Sequence, residues 1–356
     1  MGDQLSVRAL NRATLHRQLL LKRDTMTVPQ ALTRLVGMQA QAQNPPYYGL
    51  WSRLERFTQA DLSDLVTGRE VVRISLMRST IHLVTADDAL MLKPVLQPML
   101  DRALQGYAKQ LAGVDRAELV AEGVSLLEAE PLTFKALGER LTDKFGADPH
   151  ALAMGLRNWA ALVQVPPRGL WGVGGQAAHT TLEKWLRRPL RTKATVDEVF
   201  LRYLAGFGPA TVKDVQTWSG LVRLNEVADR LKKKLRAFDG GYLDLPDAPR
   251  PDPAVEAPAR YLGDFENMLL SYADRTRILP EEHRKRLFSR PNGIVPGTFT
   301  VDGFVAGEWK ITTAKQRATL ELKPYGKLAA KHRQALEKEG LALLDFAAPG
   351  SEFEIR

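Results

Sequence analysis

The chain has 356 residues, 44% hydrophobic and 26% charged, which is enough for two or three modules with a real core. Its 50 Lys and Arg against 41 Asp and Glu leave a net charge of +9, which suits a polyanionic partner such as DNA. The absence of cysteine excludes disulfides, thiolate catalysis, iron–sulfur clusters and cysteine-based zinc sites.

In chain order, Asn11 is a candidate N-cap for a helix reaching Leu21, with Leu15, Leu19 and Leu20 on one side. Thr27-Val28-Pro29 is a stronger start, a capping hydroxyl with proline just inside, and predicts a helix that stops at Gly37. Next comes Gln39-Ala40-Gln41-Ala42-Gln43-Asn44-Pro45-Pro46. On an extended backbone, Gln39, Gln41 and Gln43 would form a row of neutral amides, with Ala40 and Ala42 facing inward. Such a row can hold a water, a base edge or a sugar; a plain polar loop has the same composition. Residues 47–56 and a segment capped by Thr58 read as further helices. Residues 71–85 place Val72, Ile74, Leu76, Ile81, Leu83 and Val84 around Arg78-Ser79-Thr80, a hairpin signal. Helices closed by a hairpin are the layout of a winged helix-turn-helix.

The layout recurs. Helices are predicted over 115–129, 132–145 and 148–161, then a short wing with strands at 162–165 and 170–172 around Pro166-Pro167-Arg168-Gly169. Thr195 and Thr211 cap two more helices, Gly220 ends the second, and 235–245 is a hairpin broken at Asp239-Gly240-Gly241. The proline-rich stretch 246–258 is a linker or strap. Strands around Val301-Asp302-Gly303, then strand, basic helix and strand from Leu320, make a mixed module. The expected fold is mainly α with β-hairpin wings, an α+β architecture. It comprises winged units at 1–113, 114–193 and 194–246, a linker at 247–259 and a C-terminal α+β module at 260–356.

Four stretches together carry a resemblance. They are Leu35-Val36-Gly37-Met38-Gln39-Ala40-Gln41, Leu76-Met77-Arg78-Ser79-Thr80-Ile81-His82-Leu83-Val84, Phe207-Gly208-Pro209-Ala210-Thr211 with Trp218-Ser219-Gly220, and Phe265-Glu266-Asn267 with Ala273-Asp274-Arg275. Their order and spacing resemble the bacterial winged-helix DNA glycosylases of the AlkZ/AlkX (YcaQ-like) family, over nearly the whole chain. The resemblance implies tandem winged helices forming a C-shape around a basic DNA channel. It also implies hydrolysis of the N-glycosidic bond of alkylated purines, including bulky N7-alkylguanines and interstrand crosslinks, in some members as antibiotic self-resistance. The family's glutamine–apolar–glutamine motif falls on Gln39-Ala40-Gln41, so Gln39 and Gln41 are the expected catalytic pair. Gln43 and Asn44 are candidate lesion contacts.

A cationic N7-alkylguanine leaves as a neutral base and needs little acid help. Positioning water at C1′ is then the main task, and an amide can accept one hydrogen bond and donate another. Arg78, His82, Lys213, Arg275 and Arg277 are candidate DNA contacts. Further basic candidates are Lys232, Lys233, Lys234, Arg236, Lys327, Lys331, His332 and Arg333, and the hairpin at Asp302-Gly303 is a candidate groove inserter. The six histidines, at 16, 82, 150, 179, 283 and 332, include no i, i+4 pair, and neither metal nor cofactor is expected. The expected partner is double-stranded DNA bearing an alkylated purine, bound by a monomer. No run approaches the roughly 18 apolar residues of a membrane span, and a cytoplasmic, nucleoid-associated protein is expected. The competing readings are a non-catalytic winged-helix regulator and a lesion sensor.

Overall fold

The computed structural model describes residues 4–290 and 293–356. Helix α1 (Val7–Arg17) leads to α2 (Val28–Arg34), strand β1 (Met38–Gln39), α3 (Pro45–Trp51) and α4 (Gln59–Thr67). The hairpin β2 (Val71–Ser75) and β3 (Ile81–Thr85) follows. Local chemistry sets the helix starts. Thr27 and Thr58 form capping boxes with Gln30 and Asp61, each worth about 1 kcal/mol. The cap of α1 is Ser6 instead of Asn11; Asn11 is buried inside the helix and its Nδ2 donates to the carbonyls of Arg277 and Gly303.

A long helix, α5 (Ala86–Ala103), runs on from β3 with Pro94 and Pro98 inside it. Proline lacks the N–H that would bond four residues back. The carbonyl of Leu90, freed by Pro94, accepts instead from Arg191 N at 3.0 Å. Sequence periodicity missed this helix.

Next come α6 (Arg116–Ala129), β4 (Leu132–Thr133), α7 (Phe134–Phe145), α8 (Pro149–Trp159), β5 (Leu162–Gln164), β6 (Ala178–Thr181) and α9 (Leu182–Leu186). The strand that returns to β5 is thus 178–181, not 170–172. Leu170 and Trp171 are drawn away because they pack against the first unit. There Trp171 meets Tyr47 and Tyr48 at ring distances of 5.1 and 5.5 Å. The two hairpins do not stand apart either. β2 pairs with β5 through Arg73 and Gln164, giving one sheet in the order β1-β3-β2-β5-β6-β4.

Then come α10 (Val196–Phe207), α11 (Val212–Ser219), α12 (Leu224–Leu231) and the hairpin β7 (Arg236–Phe238) and β8 (Tyr242–Asp244). Arg17 of α1 makes a fully buried pair with Asp244 at 2.7 Å. The proline-rich strap is pinned to α1: Arg12 Nε donates to Val255 O at 2.6 Å and Arg8 Nε to Pro253 O at 2.6 Å.

The C-terminal part comprises β9 (Arg260–Leu262), α13 (Asn267–Leu270), α14 (Glu281–Phe288), β10 (Thr298–Val301), β11 (Phe304–Ala314), β12 (Arg317–Pro324), α15 (Ala330–Ala347) and β13 (Glu352–Ile355). Its sheet order is β13-β12-β11-β10-β9. The β10–β11 turn does not project. Asp302 is bonded by Arg8 and Arg12, and a Cβ on Gly303 would come within 2.5 Å of Leu15. That hairpin therefore closes on α1 and is not a groove inserter. The hydrophobic cores cross the boundaries expected from the sequence. The cluster around Leu119, Leu137, Leu141, Leu152 and Leu156 draws mostly on 114–193, joined by Leu111 and Tyr107. Val72, Leu96, Phe200, Trp218, Leu269 and Val305 share another. Among the described residues, no helix is long and apolar enough to cross a membrane.

Candidate active site

The glutamine motif lies at an edge of the first sheet, with Gln39 opposite His82 and Met38 opposite Leu83. Gly37 makes the entry possible: its φ is +85° and a Cβ would meet Val84 Cγ1 at 2.4 Å. An edge strand leaves backbone groups unpaired on its outer side. Asn267 serves them. Its Nδ2 donates to Gly37 O at 2.7 Å and its Oδ1 accepts from Gln39 N at 2.9 Å. Asn267 is itself fixed by its neighbour Glu266, whose carboxylate takes both terminal nitrogens of Arg53, at 2.6 and 3.3 Å. Both partners are buried, and removing one member of such a pair costs about 3–5 kcal/mol.

Beyond Gln39 the chain leaves the sheet. Ala40 N still donates to Ile81 O at 2.7 Å. The buried guanidinium of Arg73 then gathers the carbonyls of Ala40 and Ala42, at 2.6 and 3.3 Å, and bonds Gln164 Oε1 at 3.0 Å. Burial pushes the Arg73 pKa down to about 10, which leaves it charged at neutral pH. Residues 41–44 bend, so the expected row of three amides is not extended past Gln41. Gln43 turns to donate from Nε2 to Val173 O at 2.6 Å. Asn44 is exposed and precedes α3 without capping it. Pro45 and Pro46 supply no N–H and Tyr47 N donates to the Asn44 carbonyl at 2.9 Å, so among the described residues the side-chain amide bonds no protein group.

The two motif glutamines differ. Gln39 is buried and its Oε1 accepts from Arg78 Nη2 at 2.8 Å. Gln41 is exposed and its Oε1 accepts from Ile81 N at 2.8 Å. A guanidinium and a backbone N–H only donate, so these bonds fix which end of each amide is oxygen. Among the described residues neither Nε2 is bonded to a protein acceptor, and each oxygen keeps a second lone pair.

Arg78 lies in a tight turn (Met77–Ser79) with φ 55° and ψ 21°, and Ser79 follows at φ 56°. Consecutive left-handed residues are strained, by order 1–3 kcal/mol each. The turn is held from two sides. Arg78 Nη1 donates to Trp218 O at the end of α11. On α8, Asn158 Oδ1 takes the Ser79 hydroxyl at 2.8 Å and Arg157 Nη2 donates to Ser79 O at 2.8 Å. Lys93 in turn donates to Asn158 O at 2.8 Å. Arg78 was expected at a phosphate; its terminal nitrogens are instead spent on Gln39 and Trp218. Burial, then the charge of Arg275, push its pKa down to about 10.

Two other expected DNA contacts are also corrected by burial. His82 is fully enclosed, with Nδ1 at 3.0 Å from Thr80 O, which makes Nε2 the acceptor, and among the described residues Nε2 has no partner. Burial, then Arg78, push its pKa down to about 3, so the ring is neutral and out of reach of DNA. Arg277 is buried over the Tyr272 ring at 4.2 Å and donates to Pro209 O at 2.7 Å. Arg275 is half-buried, stacked on Phe288 at 4.7 Å, with Nε on Leu269 O at 2.7 Å. Lys213 alone of the five stands exposed, on α11.

Sequence reasoning missed Arg73 and Asn267. A charge inside the apolar run Val71-Val72-Arg73-Ile74 was the available signal for the first. Sequence reasoning placed strands on both arms of the β11–β12 ribbon but not its tip, which is exposed from Thr313 to Arg317 and carries Lys315 and Arg317. A cleft of about 340 Å³ opens directly after the motif, lined by residues 42–45, Tyr48, Asp264 and 309–311. A larger groove, of about 1110 Å³, lies elsewhere between Gln30, Arg69, Asp87 and Trp185 and shares no residue with the motif. Among the described residues no His, Asp or Glu cluster could hold a metal ion.

Comparison with known proteins shows the family and the fold. The model of the family described as DNA glycosylase AlkZ-like matches residues 32–346. An interstrand DNA cross-link repair glycosylase of Streptomyces sahachiroi is 26% identical over 369 aligned positions, spanning 91% of this chain and 92% of the relative. The structure of the Streptomyces sahachiroi DNA glycosylase AlkZ has the same fold, with a TM-score of 0.82 at 22% identity over 99% of both chains. The chain belongs to the AlkZ-like DNA glycosylase family.

Proposed function

We propose that this enzyme is a monofunctional DNA glycosylase that hydrolyses the N-glycosidic bond of cationic alkylpurines, bulky N7-alkylguanines or crosslinks above all. On this reading it acts as a monomer on double-stranded DNA in the cytoplasm. The observation that carries the reading is the pair Gln39 and Gln41, two amides with fixed oxygens whose Nε2 groups bond no protein acceptor among the described residues. In the reaction the C1′–N9 bond breaks with its electrons going to the base. The cationic purine thereby becomes neutral. Water adds at C1′, and its proton passes to solvent. Neutral amides suffice because the leaving group is already activated.

The two glutamines take different parts. Arg78 places a positive charge on the oxygen of Gln39, which disfavours a cationic sugar beside it and strengthens the opposite N–H as a donor. Gln39 therefore donates to an acceptor on the lesion or the phosphate backbone. Gln41 has no cation on its amide, and its free lone pair receives the attacking water. Lys213 and the tip of the β11–β12 ribbon are the exposed candidates for phosphate contact.

The test is direct. A duplex with one N7-alkylguanine, incubated with the protein and then heated in base, should break at the lesion above the spontaneous background. Gln39→Ala and Gln41→Ala should each abolish the excess while leaving DNA affinity. A footprint without breaks would mean a regulator, and lesion-selective binding without breaks a sensor. Either outcome overturns the proposal.

A further inference from the structure

The cleft after the motif has a composition that hydrolysis itself does not need. One wall is Tyr48, whose ring lies edge-on to Trp309 at 5.2 Å. Trp309 spends its indole N–H on Leu262 O at 2.8 Å, so it offers the cleft only aromatic surface. Asp264 lines the same cleft. One oxygen, Oδ1, accepts from Gly297 N at 2.5 Å; no bond engages the other among the described residues. The placement is rigid. A Cβ on Gly263 would meet Pro45 O at 2.8 Å, so the segment carrying Asp264 lies directly on the loop that follows Gln41. A Cβ on Gly297 would meet Trp309 at 2.9 Å, so one glycine seats both the carboxylate and the ring. The unused amide of Asn44 completes the lining.

Two cations stand near this carboxylate. Arg290 is bonded to Glu308. Lys310 is exposed at the rim and stands opposite Glu321 in the β11–β12 register. The protein around Asp264 raises its pKa, an effect opposed by the Gly297 bond and then by Arg290. Aromatic faces with one free carboxylate oxygen are a setting for an organic cation.

We propose that the cleft between α3 and β11 is a subsite for the N7 substituent of the lesion, and that Asp264 makes it selective for substituents ending in a protonated amine. The inference rests on the glycosylase reading for the identity of the ligand. A cationic arm lies in the cleft against the Tyr48–Trp309 wall, and its ammonium donates to the free oxygen of Asp264. Asn44 bonds the linking atoms. A neutral arm fits the same space without the charge pair.

Binding and excision are measured separately on two duplexes. Each carries one N7-alkylguanine whose arm ends either in an ammonium or in a hydroxyl. For binding, a 2′-fluoro sugar keeps the glycosidic bond intact. The full-length protein should favour the ammonium arm by about threefold to tenfold. Asp264→Asn, which keeps an acceptor for Gly297 N, should abolish that preference and leave affinity for the hydroxyl arm unchanged. Equal affinity for both arms in the unsubstituted protein overturns the inference. So does a preference that survives in Asp264→Asn, or a uniform gain on all duplexes including undamaged DNA. The two readings fail separately. Selective binding without excision removes the glycosylase and keeps the subsite; excision of both arms with no Asp264 dependence does the reverse.

Discussion

Two hairpin turns in this protein carry basic residues, and they do opposite things. The β2–β3 turn holds Arg78 between α8 and α11, with its guanidinium on Gln39 and Trp218. The β11–β12 turn holds Lys315 and Arg317 in the open, with Arg317 making only an exposed pair with Glu352 at 3.1 Å. Sequence marks only the first as a wing tip suited to DNA and leaves Lys315 and Arg317 unremarked. Packing separates them: a turn clamped by neighbouring helices positions another side chain, and a turn clamped by nothing is free to meet a partner. An exposed ion pair such as Arg317–Glu352 contributes about 0–1 kcal/mol and would yield readily to a phosphate.

The largest effect should come from the buried turn. Arg78→Ala removes a charge-assisted bond, worth about 1.5–3 kcal/mol, so single-turnover excision should fall by roughly ten- to a hundredfold. Affinity for DNA and its salt dependence should not change. Arg78→Lys should recover little, since an ammonium lacks the planar fork that reaches Gln39 and Trp218 together. If Arg78→Ala instead weakens binding and flattens the salt dependence, the two turns are alike and the contrast fails.

Asn267→Ala tests the other side of Gln39. It leaves Gly37 O and Gln39 N without their partner, at about 1–3 kcal/mol, and should lower both Tm and the excision rate. Asn267→Asp should not rescue it, because a carboxylate cannot donate to Gly37 O. A variant with normal Tm and rate would show that the edge strand holds itself. A smaller effect is expected at the exposed turn. Lys315→Ala with Arg317→Ala should weaken binding to any duplex and reduce the salt slope by about one per lost phosphate contact. The rate at saturating enzyme should be unaffected; a fall in that rate would place the ribbon in the chemistry.

The same contrast marks how far the sequence could be read. Helix starts were legible because a cap is a local bond: Thr27, Thr58, Asp115, Thr133, Asp148, Thr195 and Thr211 all accept from the third residue beyond them. The glutamine motif was legible as a motif. Its surroundings were not, because they arrive from far along the chain. Asn267 lies 228 positions from the Gln39 amide it accepts from, and Trp218 lies 140 from Arg78. Arg277 and His82 looked like DNA contacts because nothing local reveals that they are enclosed. The α5 helix escaped notice since two internal prolines mask its period, and the structure repairs the loss with Arg191.

The smallest effect concerns His82, and it tests whether the first turn is as closed as its bonds imply. The ring is neutral with a pKa near about 3, against an unfolded value of about 6.5. Between these values the unfolded chain binds a proton that the folded chain does not. The stability this group permits is therefore fully present above about pH 6.5 and is lost as pH falls, by at most about 1.4 kcal/mol per unit. Excision should show no titration assignable to His82 between pH 6 and 8. Urea unfolding at pH 7 and pH 5 should show the loss, and His82→Leu should shrink it. An unchanged slope in that variant would mean that water reaches Nε2. The β2–β3 turn would then breathe, and Arg78 could leave Gln39 often enough to meet DNA after all.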